Sequence, residues 1–399
     1  MQRSRRAHPT RTARKPLSFE RLEDRTLLAP FVVTNNNDSG AGSLRQAILS
    51  ANALAGADTI SFQAGLTGTI FLFAGEMDIT GNLTITGNGA ANTVIDAQTF
   101  SRIFDISNVP TAVTFDGLTL QNGQVTDAIG GAIRSQQDAG TVTIRNSILS
   151  GNKALGAVFG HGGAVGGTYA SFLIEDSTLS GNVTGGDGGA LRTVYGSIVI
   201  EDSTLSGNVA GDDGGAVYIY STGDLTLTRC TLTGNTAGGD GGATRTFGAA
   251  AVTTVTDCVF SSNYSGNIGG AISATSNSSV VIANSTLSGN HTINSGGAVY
   301  VQGDLHVTSS TLSGNYTRIS FSTGGAIASP AAGNVTIVNS TISGNQALDG
   351  PSGGVGGMRG GGIFFNAGDS TIVNSTITNN SASNGGGISI YANNNGESL

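Results

Sequence analysis

The sequence has little charge, no tryptophan and no long apolar run, and each shortage excludes a class of protein. Only 11% of its 399 residues are charged while 38% are hydrophobic, a balance that does not fit a disordered chain. The absence of Trp removes the Trp-Asp signature of a propeller blade. Because no stretch reaches about 18 to 20 apolar residues, no transmembrane segment is predicted.

Basic residues are also scarce beyond the first thirty positions. Lys153 is the one lysine there, and the whole chain carries a formal charge of -8. A body this acidic is a poor ligand for nucleic acid or for an anionic membrane surface. The basic segment 1–30 lacks the apolar core of an ordinary secretory signal, so we predict a disordered targeting segment there.

The sequence contains a six-residue motif, ending in Asn, that occurs nine times; we call this motif a phrase. The copies are spaced by 30, 26, 27, 28, 27, 25, 30 and 35 residues. They begin at Ser147, Ser177, Ser203, Cys230, Cys258, Ser285, Ser310, Ser340 and Ser375. A period of this length indicates a repeat architecture.

A second phrase, Gly-Gly-Ala followed by an aliphatic residue, alternates with the first. Apolar and polar residues alternate with period two in each unit, as in Val217–Tyr220, and no helical periodicity is present. A unit of about 25 to 30 residues with three short strands is the length of one β-helix coil, in which strands pair with neighbouring coils at about 4.8 Å. The spacing of leucine-rich repeats is missing.

The predicted fold class is therefore all-β, a right-handed single-stranded parallel β-helix of the pectate-lyase type with a short N-terminal capping helix. Segment 31–66 is predicted to be the cap, and 67–399 the β-helix with an incomplete last coil. The capping-box pattern Ser43–Gln46 opens the cap helix. Its apolar face is formed by Leu44, Ala47, Ile48 and Ala51.

The Asn that ends each phrase is predicted to form a ladder. Equivalent carboxamides in stacked coils lie one above another and can hydrogen-bond along the axis, and Asn tolerates the left-handed backbone that a corner needs. These residues are Asn152, Asn182, Asn208, Asn235, Asn263, Asn290, Asn315 and Asn345. Their predicted role is structural rather than catalytic.

The first position of the phrase is predicted to face inward. The alignment of Val113–Leu120 with Val335–Ile342 places Leu118 where later coils carry Ser or Cys. Cys230 and Cys258 then occupy this position in consecutive coils, with Cα atoms about 5 Å apart, inside the disulfide range. Two interpretations stay open: two buried thiols in a serine stack, or a strained bridge.

Three segments resemble known families. Phe19–Ala29 resembles the LExRxLL sorting segment of large exported bacterial surface proteins. Thr34–Phe62 resembles the CSLREA cap of secreted bacterial β-helix proteins, with Gly42 and Gln46 in place of the usual Cys and Glu. The repeats between about residues 110 and 390 resemble those of polymorphic outer-membrane proteins, which pair GGAI with FxxN, as in Phe260–Asn263. These resemblances imply an exported protein at the cell surface, outer membrane or outside the cell.

One charged constellation precedes the Gly-Gly pairs of four successive coils. It consists of His161, Asp187, Asp213 and Asp240. Two carboxylates about 5 Å apart repel by about 3 to 4 kcal/mol at an effective dielectric of 20. A partly buried ladder would therefore favour a cation such as Ca²⁺ on the three aspartates; no other cofactor is expected.

Five residues after these aspartates, Arg192, Tyr218 and Arg245 are predicted to project outward from the next strand. A stripe of Asp, Arg and Tyr is the kind of surface on which polysaccharide lyases and hydrolases of this fold bind sugar. The alternative interpretation is that Asp before Gly-Gly is ordinary turn chemistry. No catalytic residue is predicted, since no Ser/His/Asp arrangement, phosphate loop or Cys/His metal spacing can be assembled.

The sequence thus predicts an exported surface β-helix with a structural, adhesive or display role. Its expected partner is a cell-surface or extracellular glycan or protein. The alternative function is a carbohydrate-active enzyme or a glycan-binding protein that uses the face of Asp187, Asp213 and Asp240. The incomplete last coil also predicts end-to-end self-association.

Overall fold

The fold is described from a computed structural model, over residues 30–107, 112–136, 140–156, 158–319, 321–331, 333–348, 359–366 and 369–391. The predicted targeting segment, apart from Pro30, lies outside these residues. The boundaries proposed for the cap and the β-helix stay predictions.

The chain forms a right-handed parallel β-helix, as predicted. Each regular coil passes through four parallel sheets, which we number 1 to 4 in the order the chain meets them. One such coil contains Ser171–Glu175 in sheet 1, Thr178–Ser180 in sheet 2, Val183–Thr184 in sheet 3 and Leu191–Val194 in sheet 4. Every strand of this coil pairs with the equivalent strand of the next coil, so that backbone hydrogen bonds join the two coils.

The described strands fall into the four sheets as follows. Sheet 1 contains Pro30–Val33, Ala57–Phe62, Asn82–Thr86, Val113–Asp116, Thr141–Arg145, Ser171–Glu175, Ile198–Glu201, Leu225–Thr228, Val252–Thr256, Ser279–Ala283, Leu305–Thr308, Val335–Val338 and Thr371–Val373. Sheet 2 contains Gly68–Phe71, Thr93–Asp96, Thr119–Gln121, Ile148–Ser150, Thr178–Ser180, Thr204–Ser206, Thr231–Thr233, Val259–Ser261, Thr286–Ser288, Thr311–Ser313, Thr341–Ser343 and Thr376–Thr378. Sheet 3 contains Gln124–Thr126, Lys153–Leu155, Val183–Thr184, Val209–Ala210, Thr236–Ala237, Tyr264–Ser265, His291–Thr292, Tyr316–Thr317 and Gln346–Ala347. Sheet 4 contains Met77–Ile79, Phe104–Ile106, Ile133–Gln136, Val165–Thr168, Leu191–Val194, Val217–Tyr220, Thr244–Phe247, Ile272–Thr275, Val299–Val301, Ile327–Ser329, Ile363–Asn366 and Ile388–Tyr391.

The core consists of aliphatic columns that run along the axis inside the coils. In sheet 1, the register places Phe172 beside Ile198 and Ile198 beside Leu225, all three fully buried. Each buried Val, Leu, Ile or Phe contributes about 1.5 to 3 kcal/mol through removal of apolar surface from water. Period-two alternation in sequence therefore becomes one continuous hydrophobic core.

The Asn ladder is confirmed and is fully buried. Oδ1 of Asn208 accepts the backbone N–H and the Nδ2 of Asn182, both at 3.0 Å, and its own Nδ2 donates to the carbonyl of Leu179 and to Oδ1 of Asn235, also at 3.0 Å. The same contacts repeat along the whole predicted column, which Asn380 extends by one coil. Each carboxamide thus satisfies buried polar groups that water cannot reach.

One detail of the ladder prediction is wrong. The left-handed backbone at this corner belongs to the residue before each asparagine, such as Gly181 with φ of 61°, and not to Asn182 itself; this residue is glycine throughout the predicted column except at Ser262, before Asn263. Glycine adopts this conformation without steric cost, which leaves the asparagine free to align its side chain with the column.

The inward Ser/Cys stack is also confirmed. Ser177, for example, accepts the backbone N–H of Ser147 at 3.1 Å and donates to the carbonyl of Glu175 at 2.6 Å. In the two coils that carry thiols, the N–H of Cys230 points at Sγ of Cys258 at 3.3 Å, and no bridge joins the two cysteines. The interpretation as two buried thiols in a serine stack therefore describes the structure.

The cap helix spans Leu44–Asn52 and begins at the predicted cap. Oγ of Ser43 accepts the N–H of Gln46 at 3.2 Å, and all four residues of the predicted apolar face are buried. The helix packs on the first strands of sheets 1 and 4, where it covers the core. Within the described ranges, no helix has the length and apolar content needed to cross a bilayer.

Candidate functional site

The predicted His and Asp residues form a second column, at the corner between sheets 3 and 4. Nδ1 of His161 accepts the N–H of Asp187 at 2.9 Å, Oδ1 of Asp187 accepts the N–H of Asp213 at 3.3 Å, and Oδ1 of Asp213 accepts that of Asp240 at 2.7 Å. In the next coil, Asn267 donates to Oδ1 of Asp240 at 2.7 Å. We call His161, Asp187, Asp213 and Asp240 the acidic column.

The first glycine of each Gly-Gly pair turns the chain from the acidic column into sheet 4. Gly214 follows Asp213 and has φ of 64°, which a β-carbon would disfavour. At the second glycine, Gly215, a β-carbon would lie 2.0 Å from the carbonyl oxygen of Gly242 in the next coil. The repeated phrase therefore fixes where each aspartate stands above the next.

Arg245 joins two members of the acidic column. Its Nη1 lies 2.8 Å from Oδ2 of Asp213 and also forms an ion pair with Asp240. The exposed fractions of the Arg245 and Asp240 side chains are 11% and 9%. A guanidinium shared by two poorly solvated carboxylates offsets the repulsion between them.

Burial changes the titration of the column. It raises the pKa of Asp187 to about 6, with a further contribution from the nearby charge of Asp213. It lowers the pKa of His161 to about 4, assisted by the positive charge of Arg192. Burial also raises the pKa of Asp240, against the opposing effect of Arg245. At neutral pH His161 is therefore an uncharged hydrogen-bond acceptor beside an ionised Asp187.

The predicted residues of the adjoining strand stand in one register on the outer face of sheet 4. Arg192 pairs with Tyr218, and Tyr218 with Arg245. The expectation of an open stripe is wrong for Tyr218, which is only 5% exposed. Burial raises the pKa of the Tyr218 hydroxyl.

Arg192 differs from Arg245 in that it forms no ion pair with a carboxylate among the described residues. The Nε of each of the two arginines is shielded from solvent and has no hydrogen-bond partner in this part of the chain. Burial lowers the pKa of the Arg192 guanidinium, and Asp187 is the acidic group that opposes the shift most strongly. A buried N–H of a charged group without a partner is costly, and native proteins rarely leave one unused.

A cleft of about 470 Å³ opens beside Arg192. One wall is the turn Asp127–Ile129, the other is the segment from Val158 to His161, and Arg134 and Gln136 of sheet 4 complete the lining. We call it the Arg192 cleft. Arg134 forms an ion pair with Asp105, with 2.5 Å between Nη2 and Oδ2. Phe159 lies at the rim of the cleft, and 63% of this residue is exposed. Arg192 and His161 were predicted from the sequence, but the other lining residues were not, because they come from irregular turns or from the outer face of the strand Ile133–Gln136, outside the two repeated phrases.

A pair of tyrosines was also missed. Tyr169 and Tyr195 directly follow consecutive strands of sheet 4, and their rings stack with centroids 4.8 Å apart while each residue remains 48% exposed. Both have left-handed backbones, with φ of 60° and 62°, which costs about 1 to 2 kcal/mol for a residue with a β-carbon. The sequence signal was a tyrosine at the same place in two successive units.

The predicted calcium site has other contacts in the structure. Asp213 and Asp240 are occupied by Arg245, and one oxygen of Asp187 accepts a peptide N–H. Within the described residues, the carboxylates whose oxygens lie close enough together to share an ion are Glu76, Asp78 and Asp105 instead. Calcium binding by the acidic column stays a prediction.

The repeat itself has a recognised relative. Residues 257–275 match the family model of the Chlamydia polymorphic membrane protein repeat. This stretch contains both predicted phrases, Phe260–Asn263 and Gly269–Ile272. A search of curated proteins finds no match to the chain.

Solved structures with a similar fold include catalytic domains of α-1,3-glucanases. The catalytic domain of an Asp→Ala variant of a GH87 α-1,3-glucanase, in complex with nigerose, aligns with 90% of this chain and 68% of its own, with 13% identity and a TM-score of 0.51. The catalytic unit from Streptomyces thermodiastaticus aligns with 88% and 69%, with 14% identity and a TM-score of 0.40. At such identity the likeness shows the β-helix fold alone.

Proposed function

We propose that this protein is an exported cell-surface β-helix with an adhesive or display role. The match of residues 257–275 to the polymorphic membrane protein repeat is the observation that carries this proposal. The matched stretch belongs to one coil among many that share its Asn ladder and its Gly-Gly turn. The likeness to the repeat therefore extends to these other coils of the solenoid.

The architecture suits such a role. Thirteen strands in sheet 1, spaced by about 4.8 Å, make a rod roughly 60 Å long. Because each coil is hydrogen-bonded to its neighbours and shares their core, the rod is stiff and holds its outer side chains in fixed positions. A stiff rod of this kind can hold a binding site at a distance from the cell surface to which the protein is attached.

Protease shaving of intact cells that express the full chain tests the proposal. We expect the protein to be degraded by external protease, and an Arg25→Ala variant in the LExRxLL-like segment to be protected because it stays inside. Arg21→Ala lies just before the LExRxLL pattern itself, Leu22–Leu28, and should remain exported. Protection of the unaltered chain in intact cells, with degradation only after lysis, would contradict a surface role.

A second candidate function, glycan binding or cleavage, is favoured by one observation. Asp187 combines a raised pKa with a position beside both Arg192 and Asp213, and acids with such shifts cluster at functional sites. Release of reducing ends from a polysaccharide panel, compared between the unaltered chain and Asp187→Asn, separates the two versions. Cleavage that the variant loses would establish an enzyme; binding without cleavage would establish a lectin-like protein.

A further inference from the structure

We infer that the Arg192 cleft, together with Tyr169 and Tyr195, binds a glycan that carries carboxylate groups. This inference rests on the second candidate function, glycan binding, and names the class of glycan; it does not depend on export. It is argued from a guanidinium without an ion pair among the described residues, an aromatic rim and a strained tyrosine pair, all of which lie on or beside the outer face of sheet 4.

The guanidinium supplies the anion contact. Of the two arginines that line the cleft, Arg134 already forms a two-pronged contact with Asp105, with N–O distances of 2.6 and 2.5 Å. Arg192 also lines the cleft and, within the described residues, forms no ion pair with a carboxylate. A guanidinium presents its N–H groups in a planar fork that matches a carboxylate, so Arg192 is the group in this cleft that an incoming carboxylate would complete.

The neighbouring acids leave Arg192 available for this contact. Asp105 is paired with Arg134, and Asp213 and Asp240 are paired with Arg245. Oδ1 of Asp187 already accepts the N–H of Asp213, and Oδ2 of Asp187 lies 3.3 Å from Nδ1 of His161. Asp127, at the cleft wall, is solvent-exposed, so its charge is screened by water.

The rim supplies an apolar surface for a sugar ring. Val158 and Phe159 are 68% and 63% exposed, although both are large apolar side chains in the same turn. The faces of a pyranose ring present C–H groups, which pack well on an aromatic ring. A carboxylate on Arg192 and a ring face on Phe159 together describe an acidic sugar.

The tyrosine pair extends the site along the strand. Tyr195 is three residues beyond Arg192, about 10 Å along an extended strand, a distance that a short oligosaccharide spans. The equivalent positions in the next two coils are Ser221 and Gly248, so the fold does not need tyrosine there. Bulky residues kept in a left-handed conformation and stacked in solvent point to a function.

The experiment is calorimetric titration of the full chain with tri-galacturonate, and with its methyl ester as an uncharged probe. We expect tri-galacturonate to bind and the methyl ester to bind at least tenfold more weakly. Arg192→Gln should weaken binding of tri-galacturonate at least tenfold. Arg318→Gln, which makes the same change at an exposed arginine outside the cleft, should leave it unchanged.

Two further variants keep the test independent of folding. Tyr195→Gly relieves the left-handed backbone and should weaken binding severalfold in a protein that is no less stable. Phe159→Ala removes an exposed ring and should do the same. No binding of tri-galacturonate to the unaltered chain, equal binding of the methyl ester, or equal losses in Arg192→Gln and Arg318→Gln would each overturn the inference.

Discussion

Two columns of stacked side chains run along the axis of this β-helix. Both satisfy backbone N–H groups at a corner of the coil, but with different residues. In both, a side-chain acceptor in one coil takes the backbone N–H of an adjacent coil. The Asn ladder uses one neutral residue throughout and is fully buried. The acidic column changes from His161 to Asp187, Asp213 and Asp240, retains access to solvent at several members, and borders a cleft.

The difference shows where this fold has room for function. At the buried corner, each carboxamide both accepts and donates along the axis, which an ionised carboxylate cannot do. At the corner before sheet 4, an acceptor alone satisfies the backbone, so carboxylates and an imidazole are tolerated. Their charges cost stability unless a partner such as Arg245 neutralises them.

Replacement in the Asn ladder should produce the largest loss of stability. Asn235→Leu removes the acceptor for the N–H of Asn208 and the donor to the carbonyl of Leu205, and leaves these buried groups unpaired. We expect a loss of about 3 to 5 kcal/mol in the free energy of unfolding, measured in urea. Asn294→Leu, on the half-buried turn that continues the acidic column, should cost about 1 kcal/mol or less. Equal losses would erase the distinction between the columns.

Removal of the shared cation should have the next largest effect. Arg245→Met leaves Asp213 and Asp240 without their partner, and we expect a loss of about 2 to 4 kcal/mol at pH 7. The control Arg318→Met, at an exposed position, should stay within about 0.5 kcal/mol. If Arg245→Met is as mild as its control, the carboxylates do not depend on this ion pair.

Neutralisation of Asp187 should stabilise the protein in a pH-dependent way. Its folded pKa of about 6 lies above the ordinary value of 3.8, so the ionised carboxylate destabilises the fold above pH 6, and this effect fades as the pH falls from 6 to 3.8. Asp187→Asn should therefore gain about 1 to 3 kcal/mol at pH 8. At pH 3.5 the gain should vanish; a gain of the same size there would show that the charge is not its cause.

The smallest effect is expected in the inward stack. Cys258→Ser restores the residue that most other coils carry, whose hydroxyl accepts the same N–H at about 3.1 Å. The free energy of unfolding should change by less than about 1 kcal/mol, and both thiols of the unaltered chain should react once it is unfolded without reductant. A protein with no titratable thiol would instead contain the bridge that the structure lacks.

The regular parts of the molecule could be predicted from sequence because each of them repeats. The Asn ladder, the inward Ser/Cys stack and the alignment of His161 with the aspartates all follow from two phrases and a period. The Arg192 cleft could not be predicted, since Asp127–Ile129 and Val158–Phe159 belong to turns of variable sequence. Nor could the burial of Tyr218, since period-two alternation places this residue on the outer face of sheet 4.

In this protein the buried Asn ladder holds the rod together, while the next corner of each coil, between sheets 3 and 4, borders the site that binds ligand. Hydrogen exchange, followed by peptide with and without tri-galacturonate, tests this claim directly. We expect slow exchange at the ladder asparagines from Asn182 to Asn290 themselves, which the ligand does not change. We also expect ligand-dependent protection confined to 127–136, 158–169 and 187–195. Protection that appears elsewhere, or fast exchange along the Asn ladder, would contradict this claim.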